Sequence, residues 1–281
     1  MWPLPQPTYT ALDAYRLCVS AVGDHALRNR FESVEATIAA DSDAFSAAAA
    51  ATQLHTIPQQ GSVDRIITRD EMVELYDQRM ARKGRPGRKI YDAILSAPPY
   101  ARCPLCGLRT VSALDHHLPK SRYPSLAVAP LNLVPSCLAC NKAKLDTAPT
   151  CCKDEAIHPY FDNVEAEAWL HADVVEEAPP ALIFSVTVPP AWDDTLSARV
   201  GRQFSELGLA TAYASHAAEE IVNIRQILQT LHSSGGADSV RVHLGATADS
   251  HAAARNNSWQ IATYRALASC DWYCDGGFST V

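Results

Sequence analysis

The sequence predicts an α+β protein, a mainly helical chain built around a small zinc-bound ββα unit. Three observations predict it. Apolar residues recur at spacings of three and four along most of the chain. Two CxxC pairs, Cys103-Pro-Leu-Cys106 and Cys137-Leu-Ala-Cys140, stand thirty residues apart. Short strand patterns lie between them, and a helix begins at the second pair.

With 281 residues, 47% hydrophobic, 20% charged and only 12 Gly, the composition is that of a folded chain of two or three units, which excludes a disordered protein. The expected organisation is a helical N-terminal region at 1–85, a core at 86–162 and a mostly helical C-terminal domain at 163–281. The opening MWPLPQPTYT has no basic stretch leading into an apolar one, and no window reaches the roughly 18 apolar residues of a membrane span. The expectation is a cytoplasmic protein without membrane contact. Its nine cysteines then read as thiols and metal ligands.

Leu12, Tyr15, Cys18 and Val22, then Leu27, Phe31, Val34 and Ile38, give amphipathic helices. The run from Ala44 to Leu54 favours helix, Gln59 to Ser62 breaks it, and a helix follows over 68–80 with Thr68 as N-cap and Glu71 at the capping-box position. The segment RKGRPGRK after it reads either as a solvated connection or as a phosphate-contacting loop. Val111 to Leu114 and Leu126 to Val128 are the two expected strands of the core, and Ser136 is the expected N-cap of its helix. After Asp162 the chain turns acidic. One strand is expected at Ala181 to Val188, ended by Pro189 and Pro190. A long helix through Ile221, Ile224, Ile227 and Leu231 should stop at Ser233-Ser234-Gly235-Gly236, and a last one runs through Trp259, Ile261, Tyr264 and Leu267.

The net charge of −7 is unevenly spread. Arg79 to Leu145 holds twelve Lys or Arg against two acids, a net +10, while the remainder carries −17. A basic island of this kind is the footprint of a nucleic-acid contact, and Arg85, Arg88, Lys89, Lys120, Arg122 and Lys144 are the candidates. Two CxxC turns each aim two sulfurs at one point, so Cys103, Cys106, Cys137 and Cys140 form a tetrahedral zinc site, structural because four thiolates leave no open position. Cys151-Cys152 and the pair Cys270 and Cys274 read as free buried thiols or as a second metal site. Most lone histidines (His25, His55, His171, His216, His232, His243, His251) read as structural or exposed.

Between the pairs, the stretch LDHHLPKSRYPSLAVAPLNLVPSCLACNKAK resembles the HNH nucleases that carry a four-cysteine zinc-binding ββα-metal core. That pattern has Asp-His at the end of the first strand, Asn in the connecting loop and Asn or His on the helix beside the last CxxC. Asp115-His116, Asn132 and Asn141 occupy those places. The resemblance runs from Cys103 to about Asp162 and includes HPYFD, His158 to Asp162, which recurs in one bacterial branch. It implies an endonuclease, with DNA, double-stranded, as substrate.

The chemistry of phosphodiester cleavage asks for the same residue types. Asp115 and Asn141 supply the oxygen ligands preferred by Mg²⁺ or Mn²⁺, and His116 is left as general base. Asn132, by the resemblance, orients the histidine and the loop. His117 stays an alternative: adjacent residues at a strand end face opposite sides, so only one histidine points into the site. His158 either packs against the core or approaches the metal. The contrasting reading is a non-cutting, zinc-dependent nucleic-acid-binding or scaffold subunit. By resemblance, HNH proteins with this HPYF ending also partner ABC- or OLD-type ATPases in anti-phage systems such as Septu. The chain has no GxxxxGK[ST] motif, so a separate chain would have to supply any ATP dependence.

Overall fold

The computed structural model describes residues 1–144 and 146–280. These form two compact units, Met1–Asn163 and Val164–Val281. The first unit takes in the N-terminal helices and the cysteine-bearing hairpin together. The protein is α+β and mainly helical, with three two-stranded sheets among the described residues.

The first unit begins with α1 (Ala11–Val19), α2 (His25–Ser33) and α3 (Glu35–Ala50). Thr10 closes a capping box with Asp13, and the stripe of Tyr15, Cys18, Phe31 and Ile38 is buried as its spacing predicts. A small hairpin, β1 (Ser62–Val63) and β2 (Ile67–Thr68), leads into α4 (Arg69–Leu75), where Thr68 and Glu71 form the expected capping box. The chain then widens into a π-helical turn at Tyr76–Ala81. Wide turns of this kind concentrate at functional sites.

RKGRPGRK is more ordered than a solvated loop. Arg88 and Lys89 open α5 (Arg88–Leu95), and Gly87 is buried where an added Cβ would stand 2.6 Å from the Arg79 carbonyl and 2.7 Å from Cys18 Sγ. This glycine is set by a close approach of backbones.

The core hairpin pairs β3 (Ala113–His116) with β4 (Leu133–Ser136), antiparallel, with Asp115 opposite Val134 and His116 opposite Leu133. This corrects two expectations. Leu126–Val128 is not a strand: Leu126 closes the 3₁₀ turn Pro124–Leu126, and a second such turn occupies Pro130–Asn132. Ser136 is the last residue of β4 and not a helix N-cap, and α6 spans Leu138–Lys144. The prolines explain the shift. Pro124 and Pro130 sit at turn starts where their fixed φ is favourable, while Pro135 is tolerated in a ladder with only one partner strand.

In the second unit, β5 (Leu170–Val175) pairs antiparallel with β6 (Ala181–Val186). Only β6 was expected, because β5 lies within the acidic stretch and alternates buried Ala172 with exposed His171 and Asp173. Helices α7 (Asp194–Glu206), α8 (Leu209–Ala252), α9 (Trp259–Ser269) and α10 (Asp271–Cys274) complete it. The helical run breaks where the sequence predicts: Gly236 adopts φ 64° and ψ −162°, a backbone open to glycine, and a second helical segment continues beyond the kink with Val240, Leu244 and Ala248 buried. Among the described residues, no helix is long and apolar enough to cross a membrane.

Candidate metal centre and polar site of the core hairpin

Cys103, Cys106, Cys137 and Cys140 are all buried, and their sulfurs lie within 4.8 Å of one another. Cys106 Sγ and Cys137 Sγ are 4.0 Å apart. A tetrahedron with Zn–S bonds of about 2.3 Å has edges of about 3.8 Å, so the four donors fit one zinc ion. Each knuckle is a tight turn: Gly107 N–H donates to the Cys103 carbonyl at 2.7 Å, and Cys140 N–H donates to Cys137 Sγ at 3.4 Å. Hydrogen bonds from the Cys103 thiol hold Cys106 and Cys137 low, Cys137 at about 6, while their donors Cys103 and Cys140 are raised.

The cluster ties the end of β4 and the start of α6 to the loop before β3. That places one face of α6 against Asp115. Lys144 Nζ donates to Asp115 Oδ2 at 3.1 Å and also to the His116 carbonyl. Burial pushes the Asp115 carboxyl up, and Lys144 opposes that shift. The ammonium marks this spot as one that favours a cation. Asn141 is one turn earlier on α6, on the side that Lys144 shares. The Asp115 carboxylate and the His116 carbonyl, which Lys144 brings together, are oxygen donors of the kind a hard divalent ion takes.

His116 and His117 point into different surroundings. His116 Nε2 lies 2.8 Å from the Ala127 carbonyl, and its ring packs edge-on against Tyr76 with centroids 4.5 Å apart. A carbonyl only accepts, so Nε2 carries the proton and Nδ1 keeps its lone pair. Burial, with the charges of Lys120 and Lys144 adding to it, pushes the His116 pKa down to about 3. His117 is buried and stacks on His158, centroids 4.1 Å apart.

The structure also places His158. Its Nε2 donates to the Leu131 carbonyl at 3.1 Å, and Tyr160 N–H donates to its Nδ1 at 3.3 Å. With both ring nitrogens engaged, His158 packs against the core. Tyr160 adds a bond from its hydroxyl to the Leu133 carbonyl at 2.9 Å. HPYFD is therefore a strap that laces back onto the hairpin.

Asn132 is fully buried, and its side chain bonds only to backbone. Oδ1 accepts from Leu118 N–H at 2.7 Å, and Nδ2 donates to the carbonyls of Leu118 at 3.0 Å and Leu126 at 3.2 Å. It clamps the loop that ends at Ala127, the residue that holds His116, and so acts as a positioning residue.

The basic candidates divide. Arg88 pairs with Asp92, donates to the Ala81 carbonyl and covers the Tyr91 ring. Lys120 pairs with Asp77 at 2.5 Å and lies over the Tyr76 ring. Arg122 reaches Gln59 and, at 3.8 Å, Asp146. Arg85 and Lys89 make no side-chain hydrogen bond or ion pair among the described residues. Sequence patterns gave no sign of Tyr76, Asp77 and Ala127, because a π turn and a backbone carbonyl leave no motif.

Cys151 is exposed and Cys152 half-buried, contrary to the expectation of buried thiols. Cys274 is buried, and Cys270 donates to Glu176. Among the described residues, the four-cysteine group is the one cluster of His, Cys, Asp and Glu able to hold a metal. His55 is tied down as expected for a structural residue, 2.6 Å from the buried Glu155 carboxylate.

Protein ea31 of Escherichia phage lambda is similar to this chain: 28% identical over 236 residues, covering 80% of this chain and 79% of that protein. Its name states no activity. No family model matches the chain. No solved structure matches it.

Proposed function

We propose that the chain is a metal-dependent HNH-type endonuclease that hydrolyses phosphodiester bonds of double-stranded DNA in the cytoplasm. The observation that carries this reading lies at the end of β3: Lys144, on the helix that starts beside the four-cysteine group, donates to Asp115 Oδ2, and the neighbouring His116 keeps an unprotonated Nδ1. In this reading Asp115 and Asn141 hold Mg²⁺ or Mn²⁺. When bound, such an ion neutralises phosphate charge and helps the leaving oxygen. His116 Nδ1 takes the proton from the attacking water, and its Nε2–H stays on the Ala127 carbonyl throughout. Asn132 keeps that carbonyl in place. Arg85 and Lys89 are available to phosphate oxygens, and Lys120, Arg122 and Lys144 would exchange carboxylate partners for phosphate.

The test is nicking of a supercoiled plasmid with Mg²⁺ or Mn²⁺. His116→Ala should cut about 10²- to 10⁴-fold more slowly. Equal cutting by the variant sinks the mechanism.

A second reading has its own support, the ammonium of Lys144 seated on Asp115. Under it the chain binds nucleic acid or scaffolds a complex through its zinc-held core without cutting. A gel shift that persists in EDTA, with no cleavage in Mg²⁺ or Mn²⁺, would decide for it. Partnership with an ABC- or OLD-type ATPase in anti-phage defence rests on the HPYFD resemblance alone. Co-purification of an ATPase dependent on this chain would support it, and full activity of the isolated chain would count against it.

A further inference from the structure

Strand β5 pairs with β6 residue for residue from Leu170 to Val175. Thr187 N–H donates to the Trp169 carbonyl at 2.8 Å, which fixes the phase of the ladder. Bonded pairs alternate along antiparallel strands, so the backbone groups of His171 and Asp173 turn toward β6, and those of Leu170, Ala172 and Val174 turn outward. Leu170 N–H accordingly goes to Asn257 Oδ1 at 3.2 Å. The Leu170 carbonyl and both backbone groups of Ala172 and Val174 have no partner among the described residues. A cavity of about 730 Å³ has as its walls Ala168 to Val174, in unbroken succession, and the face of α9 that carries Ala262, Arg265 and Ala266. Side chains of successive strand residues point to opposite faces, so an unbroken run can line one space only along the edge of the strand. Open edges in native proteins are commonly blunted by Lys, Pro or a bulge. β5 has none of these.

We propose that this edge pairs with β5 of a second copy of the chain, antiparallel about Ala172, to form a symmetric dimer with a four-stranded sheet. Charge complementarity argues for a second copy. His171 and Asp173 share the solvent face of β5: their side chains are 55% and 68% exposed and meet at 3.2 Å. Two-fold pairing about Ala172 sets His171 of each copy opposite Asp173 of the other, twice over. These are the pairs without backbone bonds, in which side chains come closest. Sliding the register to the next in-phase position opposes two Asp173 side chains in one direction and two His171 side chains in the other. The strand is thus complementary to itself in one register. The backbone agrees with it. Ala172 N–H of each copy donates to the Ala172 carbonyl of the other, and Val174 N–H to the Leu170 carbonyl, so the groups left open on β5 are satisfied while Leu170 N–H stays on Asn257. The inference concerns the second unit alone and holds whether or not the chain cuts nucleic acid.

Sedimentation of the full chain over a concentration series tests the pairing. The chain should be dimeric. His171→Asp opposes two acids at both symmetric positions, and Asp173→Lys opposes two basic side chains. Each variant alone should dimerise about 10- to 100-fold more weakly, the combined effect of two lost pairs and two unfavourable ones. An equimolar mixture of the two variants should regain the association of the wild type as a heterodimer, because it sets an acid opposite a base at both positions. That recovery separates lost pairing from lost folding, since two misfolded chains do not repair each other. A chain that stays monomeric at millimolar concentration, a dimer indifferent to both substitutions, or a mixture that associates no better than either variant alone overturns the proposal.

Discussion

Replacing Asn132 with Ala tests the claim that one buried amide keeps the His116 loop in place. The side chain satisfies three backbone groups. They are not equivalent. Leu126 O also accepts from Ala129 N–H at 3.2 Å and would keep a partner. Leu118 N–H would be orphaned inside the protein, at about 1–3 kcal/mol, and Leu118 O would add about 1 kcal/mol. The expected loss is therefore about 2–4 kcal/mol, a large part of the roughly 5–15 kcal/mol that stabilises a domain. For a unit of 163 residues this lowers Tm by on the order of 10 °C. Calorimetry of the zinc-loaded full chain would read it. Asn132→Asp separates the two halves of the clamp: it keeps the acceptor for Leu118 N–H but faces two carbonyls with a second acceptor, so it should be at least as damaging as Ala. A loss below about 1 kcal/mol for either variant would refute the clamp, because no orphaned buried N–H is that cheap.

Other outcomes follow from the same geometry. The purified chain should contain about one zinc per molecule by metal analysis. Cys140→Ser should lower that content and destabilise the Met1–Asn163 unit, since structural zinc contributes directly to folding; full stability after zinc removal would show that the cysteines do not hold the hairpin to α6. Gly87→Ala should cost about 1–3 kcal/mol in urea unfolding, because the methyl group meets the Arg79 carbonyl and Cys18 Sγ below contact distance. An unchanged midpoint would mean that α5 can shift away from the π turn.

What was readable beforehand followed the range of each interaction. The CxxC pairs were legible because a four-residue turn fixes where two sulfurs point. The Thr68–Glu71 box was legible because a cap is satisfied within three residues. Strand β4 was misplaced because Pro135 argues locally against a strand, and Leu126–Val128 looked like one for want of a partner to contradict it. β5 was hidden by its exposed charges. Its register shows only against β6.

The sequence by itself determined the mainly helical α+β class, the zinc ligands and the placing of Asp115, His116 and Asn141 within a few residues of a helix and a strand end. These are local matters of spacing and donor chemistry. The tertiary structure decided which histidine is held by the Ala127 carbonyl and which packs on His158, which His116 nitrogen keeps its lone pair, and which cations are already bound to carboxylates. Those outcomes depend on Tyr76, Ala127, Leu131 and Asp77, groups far along the chain that meet the hairpin only after folding. Burial then turns each meeting into a definite proton or charge assignment, because an unpaired polar group in the interior is too costly to leave undecided.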